Sequence, residues 1–183
     1  MGLTTFLSNR DIYTSVVCSL VPQARERLWI ATADIKDMYV EPPARATEAR
    51  CGGREMVPFL EVLDGMVKRG IEVRLIHAKE PGPNFRADFD RYPRLAKMLE
   101  RVMCPRVHFK IIVIDQTVCY VGSANLTGAG MGMKSPHRRN FEAGILTDEP
   151  SIVTAAIEEF DKVWRGSECG KCQRRGVCPD PIV

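Results

Sequence analysis

The stretch that decides the fold is Val107–Asn125, which reads VHFKIIVIDQTVCYVGSAN. It contains two apolar runs rich in β-branched residues, Phe109–Ile114 and Val118–Val121, and such runs favour buried strands. Only a short connection around Gln116 and Thr117 separates the two runs. The stretch therefore predicts an antiparallel hairpin.

The register of this hairpin decides which polar side chains share a face. If a two-residue loop joins the strands, Lys110 lies opposite Ser123 and His108 lies opposite Asn125. All four side chains then emerge on one face, at one end of the hairpin. A slip of one residue would move Ser123 and Asn125 to the other face.

These four side chains offer the groups that the reaction of a phosphodiester requires. His108 supplies a nucleophile or a base, and Lys110 supplies a cation that can neutralise a non-bridging oxygen. Ser123 and Asn125 can donate hydrogen bonds to the same oxygen atoms. The alternative is a hairpin with stray polar residues, but an isolated buried His and Lys would be costly to desolvate. The cluster therefore predicts phosphoryl chemistry.

Asp115 ends the pattern His-x-Lys-x4-Asp that begins at His108. Seven residues separate the two, which is roughly 23 Å along an extended strand at about 3.3 Å per residue. Asp115 therefore cannot contact the same phosphate as His108. We expect it to fix the end of the hairpin.

The segment resembles the signature of the phospholipase D superfamily, which is His-x-Lys-x4-Asp followed by Gly-Ser-x-Asn. The likeness extends loosely over residues 9–165, and the single copy of the motif is similar to the compact bacterial endonuclease-like members. Two motifs meet at one catalytic centre in this family, so the resemblance implies a homodimer. It also implies a phosphohistidine intermediate, no catalytic metal and a catalytic set of His108, Lys110, Asp115, Ser123 and Asn125.

A further polar segment follows the hairpin and leads into a predicted strand at Asn140–Leu146. Glu142 matches an acidic residue that the family has at this distance, and we expect it to bind the imidazole and fix its tautomer. A solvated carboxylate at a strand edge is the alternative. The basic residues before it are candidates for binding a nucleic-acid backbone, although such a run is often only a solvated surface: Lys134, Arg138 and Arg139.

Length and composition predict one α/β domain, built on a mixed β-sheet flanked by helices on both faces. The chain has 183 residues, of which 45% are hydrophobic and 27% charged, as in ordinary globular proteins. Predicted strands at Arg27–Ile35, Ile71–Ala78 and Asn140–Leu146 alternate with predicted helices near Ser8–Leu20, Phe59–Val67, Pro93–Val102 and Pro150–Trp164. We expect residues 1–166 to form the phospholipase D-like catalytic domain and residues 167–183 a Cys-rich metal-binding tail.

Composition also bears on location and on the class of substrate. No apolar run approaches the roughly 20 residues that span a bilayer, and no signal peptide is evident at the N-terminus. Seven cysteines, an odd number, argue for a reducing, cytoplasmic location. No amphipathic membrane-binding segment is evident, which disfavours stable membrane association and a phospholipase or phosphatidyl transferase relative to a nuclease. A nucleic-acid-binding module without turnover is a third possibility.

The tail carries the spacing Cys169-x2-Cys172-x5-Cys178, which predicts a structural metal site. A closed tetrahedral site needs a fourth ligand, for which Cys104 is the first choice and Cys51 the alternative. The last helix should return the tail toward the loop that carries Cys104. Zinc is preferred over a [4Fe–4S] cluster, although the spacing alone does not separate them. Three unligated surface thiols are the remaining possibility.

One segment imitates the motif without repeating it. His77 and Lys79 also have the spacing His-x-Lys, but Pro81 and Pro83 prevent the strand from continuing. We expect His77 to end the second strand, near the rim of the site.

Overall fold

The computed structural model describes residues 2–41 and 56–182. Its strands are β1 (Thr4–Ser8), β2 (Arg27–Thr32), β3 (Tyr39–Val40), β4 (Val57–Pro58), β5 (Glu72–His77), β6 (Glu100–Met103), β7 (Lys110–Ile114), β8 (Val118–Gly122) and β9 (Ala143–Thr147). Its helices are α1 (Arg10–Ile12), α2 (Phe59–Lys68), α3 (Pro83–Phe89), α4 (Pro93–Met98) and α5 (Pro150–Trp164). A π-helical segment (Tyr13–Leu20) and a 3-10 turn (Val21–Gln23) continue α1, and two further 3-10 turns lie in the tail (Cys169–Lys171 and Arg175–Val177).

Seven strands form one mixed sheet in the order β1-β9-β8-β7-β2-β5-β6. Strands β2, β5 and β6 are parallel, whereas β7, β8, β9 and β1 join by antiparallel pairing. The carboxyl ends of β2 and β5 therefore lie at the same edge as the start of β7 and the end of β8. This edge carries His108, Lys110, Ser123 and Asn125, whereas Asp115 lies beyond the opposite end of β7.

Helices cover both faces of the sheet, as the sequence predicts. On β2, Leu28 and Ile30 belong to the larger core, together with the π-helical segment and α2. Trp29 and Ala31 point to the opposite face, where α5 packs. Phe160 of α5 stacks on Trp29 with 5.3 Å between ring centroids. The strict alternation along β2 thus divides one apolar run between two cores.

The predicted register of the hairpin is wrong by one residue. Ile114 pairs with Val118, and Lys110 pairs with Gly122 rather than with Ser123. The loop therefore contains three residues, from Asp115 to Thr117. Ser123 and Asn125 follow the end of β8, so the loop after that strand positions them and strand pairing does not.

Asp115 explains why the turn is longer than predicted. Asp115 and Gln116 have φ angles of 50° and 57°, a left-handed conformation that this loop must hold. The Asp115 carboxylate accepts hydrogen bonds from the backbone N–H groups of Arg25 (3.0 Å), Glu26 (2.8 Å) and Arg27 (2.9 Å). The prediction that Asp115 fixes the hairpin end is confirmed.

Other element boundaries differ from the predicted ones. Strands β1 and β6 were not predicted, and the helix expected over Pro93–Val102 ends at Met98 because β6 pairs with β5 from Glu100 onward. Strand β9 begins at Ala143, so Asn140 and Glu142 lie in the loop before it. Outside the strand, the Asn140 and Glu142 side chains need not alternate between the faces of the sheet, and Glu142 bonds to both Ser123 and Asn140.

The tail returns to the loop that follows β6, as the sequence predicts. The backbone N–H of Met103 donates to the Asp180 carboxylate at 2.8 Å, and Arg174 donates to the carbonyl oxygen of Pro105 at 3.0 Å. Within residues 2–41 and 56–182, no helix combines the length and the apolar character that crossing a bilayer requires.

Candidate active site

His108 and Lys110 are adjacent at the edge where β7 begins. His108 is exposed in the loop before the strand, whereas Lys110 is the first strand residue and is only 6% exposed. Lys110 Nζ donates to the carbonyl oxygen of His108 and lies 3.5 Å from its Nδ1. A buried ammonium beside an exposed imidazole suits a phosphate ester, because the ammonium can bind its oxygen atoms and the imidazole can attack its phosphorus.

The charge state of Lys110 depends on its surroundings. Burial lowers the pKa of Lys110, and the negative charge of Glu142 offsets part of this effect. An incoming phosphodiester would add a second negative charge and favour the protonated form further. The ammonium is therefore best stabilised when an anion occupies the site.

Ser123, Asn140 and Glu142 form one hydrogen-bonded group beside Lys110. The Ser123 hydroxyl donates to the Glu142 carboxylate, and Asn140 Nδ2 donates to its other oxygen at 3.0 Å. The backbone N–H of Glu142 donates to the Asn9 side chain at 3.2 Å. Among the residues described, no hydrogen bond joins Glu142 to His108, so its role in fixing the imidazole tautomer stays a prediction.

Asn125 is held from the side of β2. Its side-chain oxygen accepts from the backbone N–H of Asp34 at 3.1 Å and lies 3.3 Å from Thr32 Oγ1. The amide NH2 group is thereby left to donate to a substrate oxygen. Two supporting residues were not predicted: Asp34, which was placed inside the predicted strand Arg27–Ile35, and Asn9, which directly follows β1.

His77 ends β5, as predicted, and its segment reaches the rim of the site. Its Nδ1 lies 2.9 Å from the carbonyl oxygen of Lys79, and burial lowers the pKa of the imidazole. Lys79 forms an ion pair with Asp34 at 3.2 Å. Because Asp34 also holds Asn125, this second His-x-Lys segment supports the site without repeating the motif.

Tyr120 lies beneath the Gly-Ser turn and is fully buried. A β-carbon at Gly122 would lie 2.3 Å from the Tyr120 hydroxyl oxygen, and one at Gly144 would lie 2.6 Å from the Tyr120 ring. Burial raises the pKa of this phenol to about 12, so it remains neutral. The ring and the two glycines make a close-packed floor next to Lys110, which pairs with Gly122.

The basic loop, which carries Lys134, Arg138 and Arg139, directly precedes Asn140 and Glu142. Lys134 and Arg138 are exposed and Arg139 is half-buried. Among the residues described, no ion pair engages these three side chains. The backbone N–H of Asn140 donates to Ala129 at 3.1 Å and closes the loop.

An open depression adjoins His108 on the side of the tail. Pro105, Arg106, Val107, His108 and Arg174 line it. Arg106 and Arg174 were not predicted as site residues, although the tail was expected to return to the loop that precedes His108. Two guanidinium groups in this depression add positive charge next to His108.

The four cysteines predicted to bind a metal line a second cavity, of about 350 Å³, next to the depression beside His108. Its lining includes Cys104, Cys169, Cys172 and Cys178, so the choice of Cys104 as a neighbour of the tail is in accord with the structure. Across residues 2–41 and 56–182, however, no three His, Cys, Asp or Glu side chains are grouped to hold one metal ion. The closed zinc tetrahedron that we expected is therefore not formed. Cys51 lies outside the described residues.

The comparisons with known proteins agree with this arrangement. The family model described as "Cardiolipin synthase, PLD-like domain" matches residues 17–164. The chain belongs to the phospholipase D superfamily. Membership assigns it to the phosphodiester hydrolases, and the resemblance of the motif in the sequence is thereby confirmed. A comparison with curated proteins finds no significant match.

Solved structures show the same fold at low sequence identity. NucT from Helicobacter pylori has a TM-score of 0.60 and 16% identity, with 88% of this chain and 95% of that chain covered. Nuc from Salmonella typhimurium, a phospholipase D family member, has a TM-score of 0.61 and 14% identity, with 90% and 95% covered. TrmBL2, an archaeal chromatin protein, has a TM-score of 0.53 and 12% identity, with 88% and 52% covered.

Proposed function

We propose that this protein is a nuclease that cleaves phosphodiesters through a phosphohistidine intermediate, at a site shared by two copies of the chain. The observation that carries the proposal is the exposed His108 beside the buried Lys110, at 3.5 Å, in a superfamily domain with one motif. Two of the structural relatives, named Nuc and NucT, are matched over 95% of their own length, so this chain has the size of those proteins. The basic residues around the site suit a polyanionic substrate.

The reaction divides into two displacements. An imidazole nitrogen of His108 in one protomer attacks phosphorus, a P–N bond forms, and the bond to the leaving oxygen breaks. His108 of the second protomer gives its proton to that oxygen. The same imidazole then removes a proton from water, which attacks phosphorus and releases the first histidine. Lys110, Ser123 and Asn125 stabilise the negative charge on the non-bridging oxygens throughout.

The sharing of the site follows from the count of motifs. Each chain supplies one His108 and one Lys110, and the mechanism needs two imidazoles. His108 lies exposed at the edge of the sheet, and Phe141, next to Glu142, is 96% exposed. An exposed aromatic side chain of this kind suits burial in an isologous interface around a twofold axis.

No step of this reaction uses a metal ion. The groups that stabilise charge are side chains, so any metal held by the tail thiols is structural. The odd number of cysteines supports a reducing, cytoplasmic location as part of the proposal. We also propose the division between a catalytic domain over residues 1–166 and a tail over residues 167–183.

The test is an assay of the full chain with labelled single- and double-stranded DNA and RNA, in excess chelator. We expect cleavage of at least one polynucleotide, and an adduct on the His108 peptide after an alkaline quench. Cleavage of a phosphatidylcholine analogue in place of all polynucleotides would assign the protein to the lipases. Activity that vanishes with chelator and returns with magnesium, at intact fold, would refute the metal-free mechanism.

The shared site is tested with heterodimers purified through two different tags. A dimer of one wild-type chain and one His108→Asn chain should lack turnover, because it has one imidazole in place of two. Independent sites would leave half of the wild-type activity. A catalytically active monomer in light scattering would also contradict the proposal.

A specific observation favours one alternative, a nucleic-acid-binding protein without turnover. TrmBL2, an archaeal chromatin protein with a novel mode of DNA binding, shares the fold. Binding of polynucleotides without any cleavage, equal in wild type and His108→Asn, would support this alternative. The juxtaposed His108 and Lys110 argue for turnover.

A further inference from the structure

The cavity beside the tail brings together four thiols from two distant parts of the chain. Cys104 comes from the loop after β6, and the other three come from the tail. The volume of about 350 Å³ also reaches the end of α5, where Val163 of the last turn and Gly166, just beyond the helix, line it. All four thiols are half-buried and none forms a disulfide. The thiols therefore surround open space rather than packing against one another.

The backbone of the tail explains why the thiols are presented in this way. The backbone N–H of Cys172 donates to the carbonyl oxygen of Cys169 at 3.2 Å, and the backbone N–H of Cys178 donates to the carbonyl oxygen of Arg175 at 3.3 Å. These bonds close two successive 3-10 turns. The backbone N–H of Cys104 donates to the carbonyl oxygen of His77 at 2.9 Å. This bond attaches the residue that carries the fourth thiol to the end of β5.

The tail lacks the apolar burial that normally orders a segment. No residue from 167 to 182 in the described part of the chain is fully buried, and Val177 is 76% exposed. The polar contacts of Arg174 and Asp180 are exposed and of modest strength. Ordering about 16 residues costs far more free energy than these contacts supply. A bound group in the cavity would supply the difference.

The placement of the thiols around a cavity favours a cluster over one ion. Zinc holds its sulfur ligands at about 2.3 Å, which requires four thiolates to converge on one point. Here the thiols line a cavity instead, and in the described residues no three potential ligands are grouped for a single ion. A [4Fe–4S] cluster places iron and sulfide between its four cysteine ligands and therefore fills such a space.

We propose that Cys104, Cys169, Cys172 and Cys178 ligate a [4Fe–4S] cluster. Each thiol loses its proton to solvent as an iron–thiolate bond forms, and transfer of a preassembled cluster from a carrier's ligands leaves its oxidation state unchanged. Four thiolates give the bound cluster a net negative charge. Arg106, Lys162, Arg174 and Arg175 line the same cavity and compensate that charge.

The cluster also acts on the catalytic end of the sheet through Arg106 and Arg174. Both residues line the cluster cavity and the depression next to His108. A cluster would hold the two guanidinium groups beside the nucleophile, where they can bind substrate phosphates. This consequence rests on the proposed function, whereas ligation of the cluster does not.

The deciding experiment is the analysis of the full chain after anaerobic purification. We expect about four iron and about four sulfide per chain, broad visible absorbance, and an electron paramagnetic resonance signal after reduction. One equivalent of zinc without iron would overturn the proposal in favour of a single-ion site. Less than a tenth of an equivalent of either metal, in folded protein, would overturn it in favour of unligated thiols.

Variants then identify the ligands. Cys172→Ser and Cys178→Ser should each lose most of the iron and the visible absorbance, and should make the tail more sensitive to protease. Cys18→Ser is the matched control, because Cys18 is a half-buried cysteine in the π-helical segment, away from the cavity. Equal iron content in all three variants would exclude the assigned ligands. Iron content is independent of nuclease activity, so the two proposals can fail separately.

Discussion

At the catalytic end, Lys110 is 6% exposed and begins a strand that has paired neighbours on both sides, whereas the tail after Gly166 contains only two 3-10 turns among its described residues. The sheet positions the first region through backbone pairing and two apolar cores. The second region is positioned by a few exposed polar contacts. The sheet thus presents His108 and Lys110 through its own packing, whereas the proposed cluster would be what holds the tail in place.

The first and largest expected effect tests the rigid region. His108→Asn should lower kcat by at least about 10⁴-fold, since it removes the nucleophile from a site that remains otherwise assembled. Binding of the polynucleotide should persist. His137→Asn is the matched control, because His137 is exposed in the basic loop. Steady-state kinetics and a binding titration measure both effects, and equal losses in the two variants would remove His108 from its proposed role.

The second prediction concerns Lys110. Lys110→Met should lower kcat/KM by about 10²- to 10³-fold, because one charge-stabilising donor is lost. Since burial lowers the pKa of Lys110, activity in wild type should fall with rising pH before an ordinary lysine at about 10.4 would lose its proton. Stability should rise over this pH range, because the folded chain gives up the proton there while the unfolded chain still holds it. In Lys110→Arg, the fall of activity at high pH should move to a higher pH. If that fall stays at the same pH, its titrating group is not Lys110.

The third prediction concerns the turn that anchors the hairpin. Asp115→Asn should lower the free energy of unfolding by about 2–4 kcal/mol, because three backbone N–H groups lose a charged acceptor. Burial alone would raise the pKa of Asp115, but the amides of Arg27, Glu26 and Arg25 outweigh it and lower the pKa. This stabilisation is present above about pH 3.9 and is lost as the pH falls through the lower native pKa.

Urea denaturation at neutral and acidic pH measures the Asp115 effect. Asp90→Asn is the control, since Asp90 is exposed at the end of α3. A variant as stable as the control would mean that the left-handed turn does not need the carboxylate.

The last and smallest effect tests whether the tail contributes to the catalytic region. Arg174→Ala should weaken polynucleotide binding several-fold and reduce the slope of log affinity against log salt by about one. Arg175→Ala is the matched control, because Arg175 lines the cluster cavity but not the depression beside His108. Equal salt slopes for the two variants would confine the tail to a structural role.

The sequence contains enough information to predict the sheet, the helices on its two faces and the proximity of His108 to Lys110. Apolar alternation along β2 and the β-branched run in β7 predict strands for simple reasons of burial. The register failed because Gln116 is not a residue that indicates a left-handed turn. What sets the turn is the contact between Asp115 and the segment before β2, which is distant in sequence.

Other parts of the site depend on similar long-range contacts. Glu142 was predicted to face the imidazole from within a strand, but it precedes β9 and bonds to Ser123 and Asn140. Strand β6 was missed because its four residues continue a helical pattern and become a strand only by pairing with β5. The return of the tail was predicted, but the position of Arg174 within it was not, because the contact of Arg174 with Pro105 depends on the path of the tail after α5.

The packing around Tyr120 restricts positions 122 and 144 to glycine in two independent ways. A β-carbon at position 122 would lie 2.7 Å from the carbonyl oxygen of Ala143, and one at position 144 would lie 2.7 Å from that of Val121. Loss of the tyrosine would therefore not release either glycine. A large aromatic residue at position 120, in contrast, is compatible only with glycine at both positions. The glycine that opens Gly-Ser-x-Asn is thus required by the neighbouring backbone as well as by the ring, and shortening the ring would not make the position tolerant of a side chain.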